Sequence, residues 1–185
     1  VNKVSFFKIL WDSAIQTMSS ALVVMGVAGC GKSSLGAALA QSLGLPLVEG
    51  DDFHSDASRE KMRQGVALTD ADRASWLDAL ALQLQAHPDG VVLTCSALKL
   101  SYRNRLRAAR ADLHFVFLEI PIALAEERVA ARGQTHFFSS SLVQSQFATL
   151  ESPIGESDAL ALDASQPLRL LLAEVQAWLF EKEIV

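Results

Sequence analysis

The sequence predicts an α/β fold, a three-layer α/β/α arrangement with a five-stranded parallel sheet, on three observations. Short apolar runs alternate five times with longer stretches of helical periodicity, the pattern of a parallel sheet covered by helices on both faces. Half of the 185 residues are hydrophobic, which supports a substantial core and excludes a disordered chain. No linker, internal repeat or low-complexity tract divides the chain, so one domain is expected.

The elements follow in order. ALVVMG, from Ala21, is a buried strand. KSSLGAALAQSLG then places Leu35, Leu39 and Leu43 on one helix face before Gly44 ends it. LPLVEGDD is a second strand running into acidic residues, and DASREKMRQG a short polar helix closed by Gly65. TDADRASWLDALALQLQAH opens with the capping pattern Thr69-x-x-Asp72 and carries Leu77, Leu80 and Leu84 at helical spacing. GVVLTCSA is the third strand, followed by a helix over Lys99 to Arg110. LHFVFLEI is the fourth strand, and PIALAEERVAAR a helix with Pro121 in its first turn. GQTHFFSSS breaks the pattern, SLVQSQFATLE resumes as helix, ALALDAS is the fifth strand and PLRLLLAEVQAWLFEK the last helix. Residues 18–185 are expected to form the domain. Residues 1–17 read as an extension, from cloning or an upstream start, or else as an amphipathic helix packed on the domain or a partner.

Composition narrows the function. A net charge of −5 argues against nucleic-acid and membrane-surface partners. The basic cluster KLSYRNRLRAAR suits an exposed helix face as well as a nucleic-acid groove. Cys30 and Cys95 have no metal spacing and no disulfide framework, so a reducing cytoplasm is the expected setting. No apolar run reaches the roughly 18 residues of a membrane span.

GVAGCGKS, Gly26 to Ser33, matches G-x-x-x-x-G-K-[ST] at every fixed position, between a predicted strand and a predicted helix. Glycines let backbone N–H groups turn in around phosphate oxygens, and the helix adds its positive end. The expected nucleotide cradle is Gly26, Gly29, Cys30, Gly31, Lys32, Ser33 and Ser34, with Cys30 filling a variable position without chemistry of its own. Lys32 would reach the β- and γ-phosphates, and the Ser33 hydroxyl would ligate Mg²⁺. The fold is thus expected to be a P-loop NTPase fold with a helical lid.

Such a loop serves switches, motors and kinases. A guanine-nucleotide switch needs N-K-x-D and D-x-x-G segments, and the chain has neither. A motor ATPase usually ends a strand beside the loop in Asp, where this chain has Cys95 and Ser96. A small-molecule kinase needs an acid at the acceptor hydroxyl and an arginine-bearing lid, and candidates for both are present. Glu49, Asp51 and Asp52 fall at the carboxyl end of the second strand, facing the ligand crevice of open α/β sheets. One carboxylate would take the hydroxyl proton while another orders Mg²⁺ and its waters; the alternative is an acidic turn that only ends a strand. His54 is a ligand contact or a satisfied polar histidine. Arg128 and Arg132, four apart on one helix face, lead into a break that holds Gly133 and His136. They close a lid over the phosphoryl group, at about residues 128–141, or end a solvated helix.

With these residues in hand, the chain resembles the thermoresistant-type gluconate kinases, P-loop kinases of the shikimate-kinase-like group. The match runs from about Leu22 to the C-terminus, on MGVAGCGKS, EGDDFH, KMRQGVALTDADRASWL, CSALKLSYRNRLR, ARGQTHFF and SQFATLE. The resemblance implies ATP- and Mg²⁺-dependent phosphorylation of D-gluconate at its 6-hydroxyl, by a cytoplasmic homodimer. It implies Asp51 as base, Glu49 on the metal through water, and His54, Arg73, Arg103 and His136 on the substrate. Lys32, Arg128 and Arg132 take the phosphoryl group. A negatively charged acceptor explains arginines gathered in an acidic protein, because guanidinium forks fit carboxylates. Ser55, Ser58, Ala67 and Ser75 stand where the family often has Pro, Asn, Pro and Pro, in the segment expected to cover the acceptor. The rival readings are a kinase of shikimate or another aldonate, and a nucleotide-binding module without catalysis.

Overall fold

The computed structural model describes residues 21–131 and 141–184. The expected extension at residues 1–17, and Arg132 and His136 of the expected lid, lie outside them. Five strands, β1 (Ala21–Met25), β2 (Leu47–Glu49), β3 (Val91–Cys95), β4 (Leu113–Glu119) and β5 (Ala159–Asp163), form one sheet in the order β2-β3-β1-β4-β5. Every pairing is parallel. The described helices are α1 (Lys32–Leu43), α2 (Asp56–Arg63), α3 (Asp70–Ala86), α4 (Leu100–Ala109), α5 (Ile122–Ala131), α6 (Ser141–Thr149) and α7 (Leu168–Ile184).

Strand alternation decides which side chain enters which layer. Leu22 and Val24 of β1, with Val116 and Leu118 of β4, pack beneath α1 and α7 against Leu35, Leu39, Leu171 and Val175. Ala21, Val23 and Met25, with Phe115 and Phe117, pack on the other face against Trp76, Leu80 and Leu84 of α3 and Leu106 of α4. β1 is therefore buried along its whole length. It also lies where the chain's path reverses across the sheet, since β2 and β3 lie to one side of it and β4 and β5 to the other. Ligands bind at the carboxyl ends of strands at such a point.

The second strand departs from expectation at its end. It stops at Glu49, and Gly50–Phe53 coil into a 3₁₀ turn, so Asp51 and Asp52 stand on a turn rather than a strand. The turn brings Gly50 close against β3: a Cβ on it would lie 2.3 Å from the carbonyl oxygen of Thr94, and only glycine fits. Two caps fix the helices that follow. The Ser55 hydroxyl accepts from Ser58 N–H at 3.2 Å at the start of α2. Thr69 and Asp72 form a reciprocal capping box on α3.

Candidate active site

The loop after β1 turns on three glycines with positive φ, at Gly26 (139°), Gly29 (84°) and Gly31 (103°). Gly29 is required twice over, because a Cβ there would also lie 2.6 Å from the Ala125 carbonyl oxygen. Gly31 brings the chain into α1 with no side-chain cap, which leaves the first-turn N–H groups for an anion. Lys32 Nζ donates to the Val27 carbonyl at 3.0 Å, so the ammonium lies back across its own loop. Ser33 Oγ donates to Glu49 Oε2 at 3.1 Å, and the Thr94 hydroxyl donates to the same carboxylate oxygen. Ser34 is exposed, one residue further into the helix. Cys30 points the other way, with its side chain 1% exposed in the core beneath α1, so only its backbone can serve a ligand.

Opposite the loop stands a second wall of the same cleft, lined by Asp51, His54 and Arg73. Asp51 is open to solvent, with its side chain 64% exposed, while that of His54 is 4% exposed and its Nε2 lies 3.9 Å from Asp51 Oδ1. The His54 ring stacks on Trp76 at 4.5 Å between centroids, and Trp76 Nε1 donates to the Gly50 carbonyl at 2.7 Å. Helix α3 thereby holds the acidic turn in place. Burial drives the His54 imidazole down to about 4, against the pull of Asp51 and with the repulsion of Arg73 and Arg59. The ring is neutral through the physiological range. Arg59 ties the turn from α2 as well, donating to the carbonyls of Asp52 at 2.7 Å and His54 at 3.1 Å.

Arg73 is 8% exposed, and its guanidinium lies 6.0 Å from the centre of the Tyr102 ring. Tyr102 in turn donates to Asp70, which also accepts from Lys99 Nζ at 2.7 Å. These donors hold the Asp70 carboxyl below its ordinary value. Two buried nitrogens of this wall, Arg73 Nε and His54 Nδ1, have no hydrogen-bond partner among the described residues. Buried donors and acceptors without partners are costly and rare.

Arg103 does not face this cleft. It is 1% exposed and donates to Glu156 from Nε at 3.1 Å, and to the carbonyls of Ala97 at 3.1 Å and Leu98 at 3.3 Å. Its guanidinium is spent on scaffold. The structure does not bring it to the expected acceptor contact: its printed bonds go to Glu156, Ala97 and Leu98, and it is not among the residues that line the cleft. What it holds is the turn after β3, where Ala97 sits at φ 43° and Ser96 lines the cleft. Arg128 reaches the loop, donating to the Gly29 carbonyl at 3.5 Å and the Ala164 carbonyl at 3.1 Å.

Some cleft residues escaped the sequence reading. Met62, Leu68 and Leu142 form a small apolar cluster that joins α2 and the segment before α3 to α6. Gln146, one turn after Leu142, accepts from Ala28 N–H at 2.7 Å. It lies inside SQFATLE, a segment whose resemblance had been noted without any residue being singled out. Among the described residues no group of three or more metal-ligating side chains forms a metal site.

Comparison with known proteins agrees with this fold. The protein family described as AAA domain matches residues 22–153. A gluconokinase of Gluconobacter oxydans is 42% identical over 158 residues, covering 83% of this chain and 88% of that protein. The crystal structure of a gluconokinase from Sinorhizobium meliloti superposes with a TM-score of 0.79 at 44% identity, covering 86% of this chain and 90% of the other. A shikimate kinase from Acinetobacter baumannii, at 16% identity and a TM-score of 0.65, covers 94% of this chain and 99% of its own, and shares the fold.

Proposed function

We propose that this chain, which belongs to the gluconokinase family, transfers the terminal phosphoryl group of ATP to the 6-hydroxyl of D-gluconate, giving 6-phosphogluconate and ADP. The observation that carries the reading is the pair of orphaned buried nitrogens, Arg73 Nε and His54 Nδ1, in the wall facing the phosphate loop. A buried guanidinium favours an anion that neutralises it, and a sugar acid supplies a carboxylate and hydroxyls together.

The chemistry assigns each side chain a task. Asp51 takes the proton of the 6-hydroxyl as that oxygen bonds to the γ-phosphorus and the bond from phosphorus to the bridging oxygen of ADP breaks. Its place at the solvent edge of the wall, beside the buried His54, keeps it free to meet an acceptor held deeper by Arg73. Lys32 exchanges the Val27 carbonyl for phosphate oxygens. Arg128, already at Gly29, and Arg132 and His136 beyond it in sequence, offset charge on the transferring group and the acceptor. Ser33 and Glu49, hydrogen-bonded to each other, fit Mg²⁺, the hydroxyl directly and the carboxylate through water; bound there, the ion would neutralise phosphate charge. A homodimer belongs to the same proposal on the family resemblance, and a cytoplasmic setting on two cysteines without a disulfide framework.

The test is a panel of acceptors with ATP and Mg²⁺, read by ADP release. Gluconate is expected to turn over far faster than shikimate, glucose or nucleoside monophosphates, and Arg73→Ala to raise the KM for gluconate more than that for ATP. Equal turnover of any of those three, or a larger effect of Arg73→Ala on ATP, would overturn the reading.

A further inference from the structure

Helix α6 reaches the phosphate loop through one side chain. Gln146 is 8% exposed and lines the cleft together with Ala28, Leu142 and Ser145. Its Oε1 accepts from Ala28 N–H at 2.7 Å, across 118 residues of sequence. A backbone N–H can only donate, so the carboxamide oxygen has to face the loop and the amide group has to face away from it. Orientation of the side chain is thereby fixed.

The Nε2 group carries two donors, and none of the described residues accepts from it. Carboxamide oxygen and nitrogen lie on one rigid plane, so Nε2 stays within a few ångströms of the loop at Ala28. One turn earlier on the same helix, Leu142 packs on Met62 and Leu68, which belong to the opposite wall. Gln146 thus stands at the seam where the loop that holds phosphate meets the wall that holds the acceptor.

We propose that Gln146 is a specificity-determining residue, its amide donating to an oxygen of the acceptor next to the hydroxyl that is phosphorylated. The inference rests on the proposed gluconate kinase reading. A polyhydroxy chain presents an acceptor oxygen on every carbon, and a donor pinned to the phosphate loop holds one of them in register with the transfer. An acceptor lacking that oxygen forgoes this hydrogen bond and is discriminated against.

Two substitutions separate this role from a structural one. Gln146→Glu keeps an oxygen for Ala28 N–H and removes both donors; Gln146→Met removes donors and acceptor without adding charge. Both variants are expected to lower kcat/KM for gluconate at least about tenfold, mainly through KM. Gln146→Met, which adds no charge beside the phosphate loop, is expected to bind ADP within about twofold of wild type by calorimetry, so that its loss is at the acceptor. If Gln146 served only to hold the loop, Gln146→Glu would turn gluconate over like wild type, and that result overturns the proposal. A Gln146→Met variant whose gluconate KM stays unchanged overturns it as well, since charge repulsion alone would then explain the glutamate. A wild-type protein inactive on gluconate removes the functional reading itself, which is a different result from an active wild type with indifferent variants.

Discussion

Replacing Arg103 by methionine tests whether the most buried cation among the described residues is scaffold or substrate contact. The methionine stem fills much of the arginine's path but donates nothing. Three acceptors then lose a partner: the Ala97 and Leu98 carbonyls, and Glu156, which also accepts from Arg107. Each lost bond to a buried carbonyl is worth on the order of 1 kcal/mol, and the charge-assisted pair about 1.5–3 kcal/mol. Glu156 is softened by its remaining arginine and by partial exposure, with its side chain 20% exposed. The total is about 3–5 kcal/mol, the range seen when one partner of a buried ion pair is removed. For a domain of this size that lowers Tm by roughly 10 °C. Thermal unfolding followed by circular dichroism reads the first effect, and gluconate kinetics well below the new Tm read the second. The KM for gluconate is expected to stay within about threefold of wild type, the small change coming from a looser Ser96–Leu98 turn. An unchanged Tm with a KM raised tenfold or more would refute the scaffold assignment and return Arg103 to the substrate.

Two other perturbations address the wall itself. Asp51→Asn is expected to lower kcat by orders of magnitude while ADP binding by calorimetry persists; an unchanged kcat removes Asp51 as base. His54 titrates at about 4 in the folded protein because burial disfavours its charge, against about 6.5 in an unfolded chain. The unfolded state therefore takes up the proton first as pH falls, and stability is lost between about pH 6.5 and pH 4. Between pH 7 and pH 5 the wild type is expected to lose on the order of 2 kcal/mol more than His54→Asn in urea unfolding; parallel losses would show that the ring is not buried neutral.

Periodicity and punctuation made the individual strands and the seven described helices legible, because hydrophobic period, caps and turns act within a few residues, whereas the strand order pairs distant residues such as Ala21 with Val91. The phosphate loop was legible for the same reason: its glycines, lysine and serine act on one another's backbone. What stayed hidden depends on partners far away in the chain. Gly50 has to be glycine because of Thr94, on another strand. Arg103 is bonded to Glu156, 53 residues on, a partner its basic helix does not point to. Gln146 gains its meaning from Ala28, and nothing in the local sequence of α6 points there. The segment CSALKLSYR illustrates the difference between a diagnostic motif and a contacting one. Lys99 and Tyr102 serve Asp70, Tyr102 lies near Arg73, and Arg103 holds the turn. That block shapes the acceptor wall from behind.

The same distinction bears on the four positions where the chain departs from its family. Ser55 and Ser58 close on each other at the start of α2, the Ser55 hydroxyl donating to that of Ser58 at 3.1 Å and accepting from its N–H. A helix cap replaces whatever a proline and an asparagine would do there, and it leaves His54 where Arg59 and Trp76 hold it. Ser75 is exposed on α3, beside its buried neighbour Trp76. Ala67 alone of the four lines the cleft. A proline at that place would restrict φ and fill space beside Leu68; alanine leaves a smaller, less rigid rim. Three of the departures are thus absorbed by local structure, while Arg73, His54 and Asp51 keep their wall intact. Of the four positions, Ala67 is the one placed to alter which sugar acid fits best. An Ala67→Pro variant compared across aldonates of different length isolates that contribution, because the substitution touches neither the phosphate loop nor the buried nitrogens.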